Sequence, residues 1–253
     1  MENNNEEEIE NKKEIKIKLI TIIIIGIIIA LVIIGIVVFA NIFQSSKTGT
    51  TSKPSNSKGT SSDGSHNDIL VDFKPIIYLY PEKSTEISVK LGKPENITCS
   101  YPKYNKGWHV IANPDGTLFD VNTGRKLYSL YWEGLHSEPY NFDEGFVVRG
   151  NKTIEFLEEK LAILGLTEIE AEEFIVYWLP KLQDNEYNYI KFATMNEINN
   201  NMPLEFSVEP DTIIRVLMQF KGLKNSIDVQ EQKLETPERT GFVAVEWGGM
   251  EIK

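Results

Sequence analysis

Two glutamates beside tryptophans are the residues of this sequence best suited to chemistry. Glu133 lies in Tyr131-Trp-Glu-Gly134, and Glu246 lies in Val245-Glu-Trp-Gly-Gly249. A glycosidase needs two carboxylates, one as acid and one as base or nucleophile, and a ring on which the sugar stacks. If folding brings the two carboxylates together, the pattern predicts a hydrolase with Glu133 and Glu246 as its catalytic residues.

A structural role is the alternative for the same residues. Tryptophan is buried on average, so Trp132 and Trp247 are also candidates for the core. Each glutamate would then end its strand in solvent or pair with an arginine such as Arg149 or Arg215. The sequence leaves both interpretations open because it does not fix the distance between the two carboxylates.

Aromatic residues are dense between positions 101 and 140, where tyrosine and tryptophan occupy seven positions. Rings that stay exposed on a sheet form a platform that stacks on sugars or grips a peptide. We therefore predict a binding surface for a glycan or a protein, and its candidate residues are Trp108, Tyr131, Trp132 and Trp247.

Other chemistries lack the residues that they need. With three histidines, one cysteine and no HExxH pattern, the sequence predicts no metal site. It has no GxSxG, P-loop or GxGxxG motif for a nucleophilic serine, a phosphate or a dinucleotide. No cofactor is predicted, and Cys99 is expected to be a small buried residue rather than a reactive thiol.

The elements that would carry these residues are mostly strands. Apolar residues alternate with polar ones, and turn motifs such as Asn113-Pro-Asp-Gly116 separate the alternating runs. Strands are predicted over residues 75–81, 86–91, 97–101, 108–112, 117–121 and 126–133, which would form a meander, and over 189–194, 204–208, 213–220 and 242–247.

Between these two groups of strands the apolar spacing changes to three and four. The change predicts a helix over 151–164 with Gly165 as its C-cap, and a second helix from the capping box Thr167-Glu-Ile-Glu170 to Pro180. The predicted fold class is therefore α+β, an antiparallel sheet or sandwich-like domain with an inserted helical hairpin.

A long apolar segment precedes this domain. Leu19–Ala40 holds 22 residues without a charge, and a helix of that length spans roughly 33 Å, enough for the ~30 Å hydrocarbon core of a bilayer. We predict one transmembrane helix over residues 19–43, because in lipid the backbone polar groups must be satisfied within the segment. Cleavage after Ala40 by a signal peptidase is the alternative, although the run is longer than a typical signal-peptide core.

The flanking residues set the rest of the organisation. Residues 1–18 form a predicted cytoplasmic tail, residues 44–67 a disordered linker of Ser, Thr, Gly and Lys, and residues 68–253 one extracytoplasmic domain. Four lysines lie close to the apolar segment on its N-terminal side and three lie further away on the other, which favours a cytoplasmic N-terminus. The lipid bilayer is thus a predicted partner.

The net charge of −11 belongs to the folded domain, since the charges of the tail and the linker cancel. An acidic domain has no basic surface for phosphate backbones, so nucleic acid is not a predicted partner.

The folded domain contains five distinctive motifs: Lys74-Pro-Ile-Ile-Tyr-Leu-Tyr-Pro81, Tyr131-Trp-Glu-Gly134, Phe174-Ile-Val-Tyr-Trp-Leu-Pro180, Pro210-Asp-Thr-Ile-Ile-Arg215 and Val245-Glu-Trp-Gly-Gly249. With these motifs the chain resembles an uncharacterised bacterial family of membrane-tethered or secreted proteins. The resemblance covers about residues 74–253 and implies a domain boundary near Lys74, but no activity.

Together, these patterns predict a single-pass membrane protein whose outer domain binds a glycan or a protein near the membrane without catalysis. An extracytoplasmic hydrolase that uses Glu133 and Glu246 is one alternative, and a structural or assembly component is another. Two carboxylates within roughly 5 to 9.5 Å in one cleft would favour the hydrolase, whereas exposed rings on one face would favour binding.

Overall fold

The computed structural model of the protein describes residues 70–136 and 143–252. They lie in the second of two compact units, Ser65–Lys253, and form the β-rich α+β domain that the sequence predicts. The predicted tail, transmembrane helix and linker, residues 1–18, 19–43 and 44–67, lie outside the described residues. Within the described ranges, no helix is both long and apolar enough to cross a membrane.

The strands of the described residues form two sheets, one of eight strands and one of five. The strands are β1 (Leu70–Tyr80), β2 (Thr85–Leu91), β3 (Ile97–Tyr101), β4 (Trp108–Ala112), β5 (Leu118–Asp120), β6 (Lys126–Leu127), β7 (Leu130–His136), β8 (Glu144–Arg149), β9 (Tyr187–Phe192), β10 (Leu204–Phe206), β11 (Thr212–Leu223), β12 (Gln230–Glu231) and β13 (Val243–Glu251).

The larger sheet has the order β12-β8-β9-β11-β13-β1-β7-β3. It is mixed rather than antiparallel throughout, because β11 runs parallel to β13 and β12 runs parallel to β8. The smaller sheet has the order β10-β2-β4-β5-β6 and its pairs are antiparallel. The predicted meander is therefore interrupted, since β3 leaves its sequence neighbours and pairs with β7 in the larger sheet.

Three helices accompany the sheets in the described ranges: α1 (Thr153–Ile163), α2 (Glu168–Leu182) and α3 (Met195–Asn201). Both predicted end signals of the hairpin are confirmed. Gly165 follows α1 in the left-handed region with φ +85. Thr167 caps α2, since its backbone N–H donates to Glu170 and its hydroxyl accepts from the Glu170 N–H.

Helix α2 was predicted to end at Pro180, but it continues to Leu182. A proline removes one backbone hydrogen bond to the residue four positions before it, here Val176. Val176 lies on the exposed side of the helix, where water can form a hydrogen bond with its carbonyl.

Strands β8 and β12 and helix α3 were not predicted. Their apolar residues form runs that are too short or too interrupted to show a period.

The helical hairpin and the smaller sheet cover opposite faces of the larger sheet. Alternate residues of β1 divide between the two cores, as the twofold period of a strand requires. Ile76 and Tyr78 pack with Phe174 and Trp178 of α2. Ile77 and Leu79 point the other way and pack with the smaller sheet.

Candidate functional site

Glu133 and Glu246 lie on strands β7 and β13, which both flank β1. Their side chains are on opposite faces of the larger sheet. Glu246 accepts a hydrogen bond from Trp132, whose ring lies in the core shared with the smaller sheet, whereas Glu133 follows Trp132 and shares the helix face with Tyr131. Two carboxylates that act on one glycosidic bond must flank it in a single cleft. The structure does not bring this pair together.

Glu246 is held by neighbours that satisfy its charge. Its carboxylate accepts a hydrogen bond of 2.9 Å from Trp132 Nε1 and one of 2.6 Å from Arg215 Nε. Arg215 in turn donates to Asn199 Oδ1 at 2.7 Å. Glu246 and Arg215 are both buried, so this carboxylate meets a protein partner rather than solvent.

The predicted binding tryptophans are also in the interior. Trp108, Trp132 and Trp247 are each at most 3% exposed. Their indole N–H groups donate within the protein, to Pro102 O, Glu246 Oε1 and the Tyr78 hydroxyl respectively. A buried indole presents no face to a ligand that arrives from solvent. Of the four predicted binding residues, Tyr131 is the one that lies at an open surface.

Tyr131 lines an open groove of about 540 Å³ on the helix side of the larger sheet. Three more tyrosines line it with Tyr131, and we call it the tyrosine groove. Strand pairing places Tyr101 of β3 directly opposite Tyr131 of β7. Tyr128 precedes β7, and Tyr177 reaches the groove from α2. Pairing of strands and packing of a helix thus bring together rings that are distant in sequence.

Two of these tyrosines are more than half exposed. Tyr128 is 59% exposed and Tyr101 is 52% exposed. A tyrosine ring that is exposed to this extent offers an apolar face and a polar hydroxyl to a ligand.

Glu133 supplies the groove with a carboxylate. Burial raises the pKa of Tyr131 well above its ordinary value, and a hydrogen bond from its hydroxyl to Glu133 and the charge of Glu133 add to the rise. Burial and then the charge of Glu133 also raise the pKa of Tyr177. Both hydroxyls therefore remain protonated at neutral pH. Among the described residues lining the groove, Glu133 is the one acidic side chain.

Lys74 places a positive charge at the same groove. Its Nζ lies 4.5 Å from the ring centroid of Tyr177 and 5.6 Å from that of Trp247. Such contacts stabilise an ammonium group over an aromatic face. Lys74 has a φ of +54, a conformation that is uncommon for a residue with a side chain. It lies at the bulge of β1, between Phe73 and Ile76.

Cys99 lies beside the groove and is exposed, not buried as predicted. It pairs across β3 and β7 with Glu133, and it also contacts the Tyr131 hydroxyl. The prediction was wrong because β3 is the last strand of the larger sheet, where one side has no neighbour to cover it.

This site could be predicted only in part from the sequence. Tyr101 and Tyr128 belong to the aromatic-rich stretch, and Lys74 and Tyr177 lie within two of the motifs noted above, but none was among the four candidate residues. Exposure separates a ligand-binding ring from a core ring, and exposure depends on tertiary packing. In the described part of the chain, no group of three or more His, Cys, Asp or Glu residues is placed to hold a metal ion.

Comparison with known proteins finds a relative but no activity. The chain is 46% identical over 66 residues to a protein of Butyrivibrio fibrisolvens described as an uncharacterized protein in the bglA 3' region. The match covers 25% of this chain and 67% of the relative. No family model matches the chain, and no solved structure matches it.

Proposed function

The chain belongs to the same family as the uncharacterised Butyrivibrio fibrisolvens protein, and we propose that its folded domain binds a carbohydrate chain in the tyrosine groove without altering it chemically. The observation that carries the proposal is the convergence of Tyr101, Tyr128, Tyr131 and Tyr177 on one open groove. Rings from two strands, a turn and a helix line the same space, and two of them are more than half exposed.

The groups in the groove match the chemistry of a sugar. A pyranose ring has an apolar face that packs on an aromatic ring, and hydroxyls at its edge that need hydrogen-bond partners. The tyrosine rings provide the stacking surface. Glu133 accepts hydrogen bonds from sugar hydroxyls, and Lys74 donates them. A volume of about 540 Å³ falls within the usual range for small-molecule sites, roughly 300 to 1,000 Å³.

A binding role fits this groove better than a hydrolytic one. Glycoside hydrolysis ordinarily uses two carboxyl groups on either side of the bond that breaks. In the described part of the groove Glu133 stands alone, and Glu246 lies on the opposite face of the sheet. A single carboxylate that already accepts a hydrogen bond from a tyrosine hydroxyl is suited to holding a sugar hydroxyl in place.

The proposed setting is the outer surface of a cell membrane. Residues 19–43 would anchor the chain, with residues 1–18 in the cytoplasm and the folded domain outside. The support for this part of the proposal is the uncharged run Leu19–Ala40 together with the lysines that flank it. A short linker would then keep the groove close to the lipid surface, where it meets glycans attached near the membrane.

Cys99 allows a direct experiment, because it is the one cysteine of the chain and lies beside the groove. The full-length protein, purified in detergent, is incubated with neutral, amino-sugar and uronic-acid oligosaccharides. The rate of Cys99 alkylation is then measured for each sugar. A ligand in the groove should cover the thiol and slow alkylation. If no oligosaccharide slows it and none binds by calorimetry, the proposed function is wrong.

A further inference from the structure

A second cleft lies on the outer side of the helical hairpin, separate from the residues that line the tyrosine groove. We call it the hairpin cleft. It has a volume of about 610 Å³. Its apolar lining includes Leu166, Ile175 and Val176, and Val176 is 68% exposed. Ile169, two turns before Val176 on α2, is 71% exposed. Helix α2 therefore presents an apolar strip to solvent, where a surface helix usually carries polar residues.

Three glutamates, Glu158, Glu168 and Glu172, also line the hairpin cleft. In the described part of the chain no basic side chain or hydrogen-bond donor contacts any of these three carboxylates. The other glutamates of α1 and α2 do have partners: Glu155 with Lys152, Glu159 with Lys160, Glu170 with Arg239, and Glu173 with Tyr78. The hairpin glutamates without a hydrogen-bond or ion-pair partner in the described part of the chain are thus the ones that line the cleft.

We propose that the hairpin cleft docks a cationic amphipathic helix of a partner protein. Two adjacent helices form a groove into which the side-chain ridges of a third helix fit. The apolar side of the docked helix would pack on Ala171, Ile175 and Val176. Lysines or arginines beside that apolar side would pair with Glu158, Glu168 and Glu172.

Charge complementarity selects this occupant over others. Opposite charges across an interface steer the correct partner and reject partners of like charge. The three carboxylates repel an acidic helix, and they also repel a second copy of the same cleft. They disfavour an anionic lipid surface for the same reason. An apolar strip with a negative rim matches an apolar strip with a positive rim, a form of helix-in-groove recognition.

The test uses the full-length protein in detergent and a fluorescent peptide of leucine and lysine arranged with helical spacing. A peptide of the same composition in scrambled order is the first control, since it keeps the charge but has no apolar face. Binding is measured by fluorescence anisotropy. The variant Glu158→Gln/Glu168→Gln/Glu172→Gln removes the charged rim. The control variant Glu82→Gln/Glu205→Gln/Glu209→Gln changes net charge equally at exposed positions outside the hairpin.

The patterned peptide should bind more tightly than the scrambled one, and the hairpin variant should weaken it by about tenfold, as expected for the loss of three exposed ion pairs. The control variant should leave binding within about twofold, because screening limits the reach of distant charges. Val176→Ser should also weaken binding, whereas Val208→Ser, at another exposed valine, should not. Equal effects of the two triple variants, or equal binding of the two peptides, would overturn the proposal. Neither result would bear on the tyrosine groove.

Discussion

Arg215 and Glu246 form an ion pair in which Arg215 Nε lies 2.6 Å from Glu246 Oε2. The two residues sit on β11 and β13, directly opposite each other across the parallel strand pair. Both side chains are more than nine-tenths buried. Water is therefore not available to either charge, and each depends on the other for its solvation. Trp132 completes the arrangement by donating to the second carboxylate oxygen.

Breaking this pair should destabilise the protein strongly. Glu246→Leu leaves the Arg215 guanidinium buried without its carboxylate, and we expect a loss of about 3 to 5 kcal/mol in the free energy of unfolding. Arg215→Met/Glu246→Leu removes both charges and should cost less than Glu246→Leu alone. Denaturant unfolding of the three proteins measures this difference. A single variant within about 1 kcal/mol of the native protein would contradict the expectation, since most substitutions already cost that much.

Removing an exposed ring of the tyrosine groove should weaken carbohydrate binding without affecting the fold. We expect Tyr128→Ala and Tyr101→Ala each to raise the dissociation constant by about tenfold, the loss typical of a residue that contributes substantially to an interface. Calorimetry with the oligosaccharide that protects Cys99 measures this effect. Phe119→Ala is the matched control, because Phe119 is an aromatic residue, 41% exposed, on the smaller sheet. If Phe119→Ala weakens oligosaccharide binding to the same extent, the oligosaccharide does not bind specifically in the tyrosine groove.

Glu133 should account for part of the raised pKa of Tyr131. Burial is the largest cause of the rise, and the hydrogen bond to Glu133 and its charge follow. In Glu133→Gln the negative charge is lost, so the pKa of Tyr131 should fall towards its ordinary value of 10.0 but remain above it. A titration followed by the NMR signal of the Tyr131 ring carbon attached to oxygen measures the change. If the pKa of Tyr131 is the same in Glu133→Gln as in the native protein, Glu133 does not contact Tyr131.

The same rise in the pKa of Tyr131 predicts how stability depends on alkaline pH. The folded state holds the Tyr131 proton more tightly than the unfolded chain, whose tyrosine releases it near pH 10. The stabilisation is complete below that pH and is lost as the pH rises above it. Tyr131→Phe has no proton to lose, so its stability should fall less steeply above pH 10. Unfolding curves across this pH range compare the two proteins.

Gly165 should be the hairpin residue least tolerant of a methyl group. It has a φ of +85, and a Cβ there would lie 2.6 Å from Pro237 Cγ. Gly165→Ala should therefore cost the penalty of a left-handed alanine, roughly 1 to 2 kcal/mol, and in addition the displacement of Pro237. Gly124→Ala isolates the first cost, since Gly124 has a φ of +67 and no atom within 4 Å of the added Cβ. If Gly165→Ala and Gly124→Ala lower the unfolding temperature equally, the displacement of Pro237 costs no measurable stability.

The proposed membrane anchor can be tested by introducing charged residues into it. Ile27→Asp/Leu31→Asp places two carboxylates in the apolar run, each opposing insertion by roughly 3 kcal/mol. This variant should move from the membrane fraction to the soluble fraction, whereas Thr48→Asp/Thr51→Asp, outside the run, should stay with the membrane. External protease should digest the folded domain of intact cells if it lies outside. Recovery of the native chain in the soluble fraction would contradict the anchor.

The sequence alone determined the features that depend on residues close to one another in the chain, namely strands, helix caps and turns. Alternation of apolar and polar residues predicted a strand over residues 86–91, and β2 covers them with Ile87, Val89 and Leu91 buried. The capping box at Thr167 and the turn at Gly165 were predicted and found, because each depends on residues within one helical turn. The class of the fold, β-rich with a helical hairpin, followed from the change in apolar period.

Only the tertiary structure decided which residues meet. β3 leaves its sequence neighbours for the edge of the larger sheet, which exposes Cys99 and sets Tyr101 opposite Tyr131. Glu133 and Glu246 look equivalent in sequence, but they point to opposite faces of the sheet. Strand order and sheet face depend on contacts between residues that are far apart in the chain, and local patterns carry no information on those pairings. For this reason the sequence predicted aromatic residues for a site, and the fold alone determined that the tyrosines, not the tryptophans, line it.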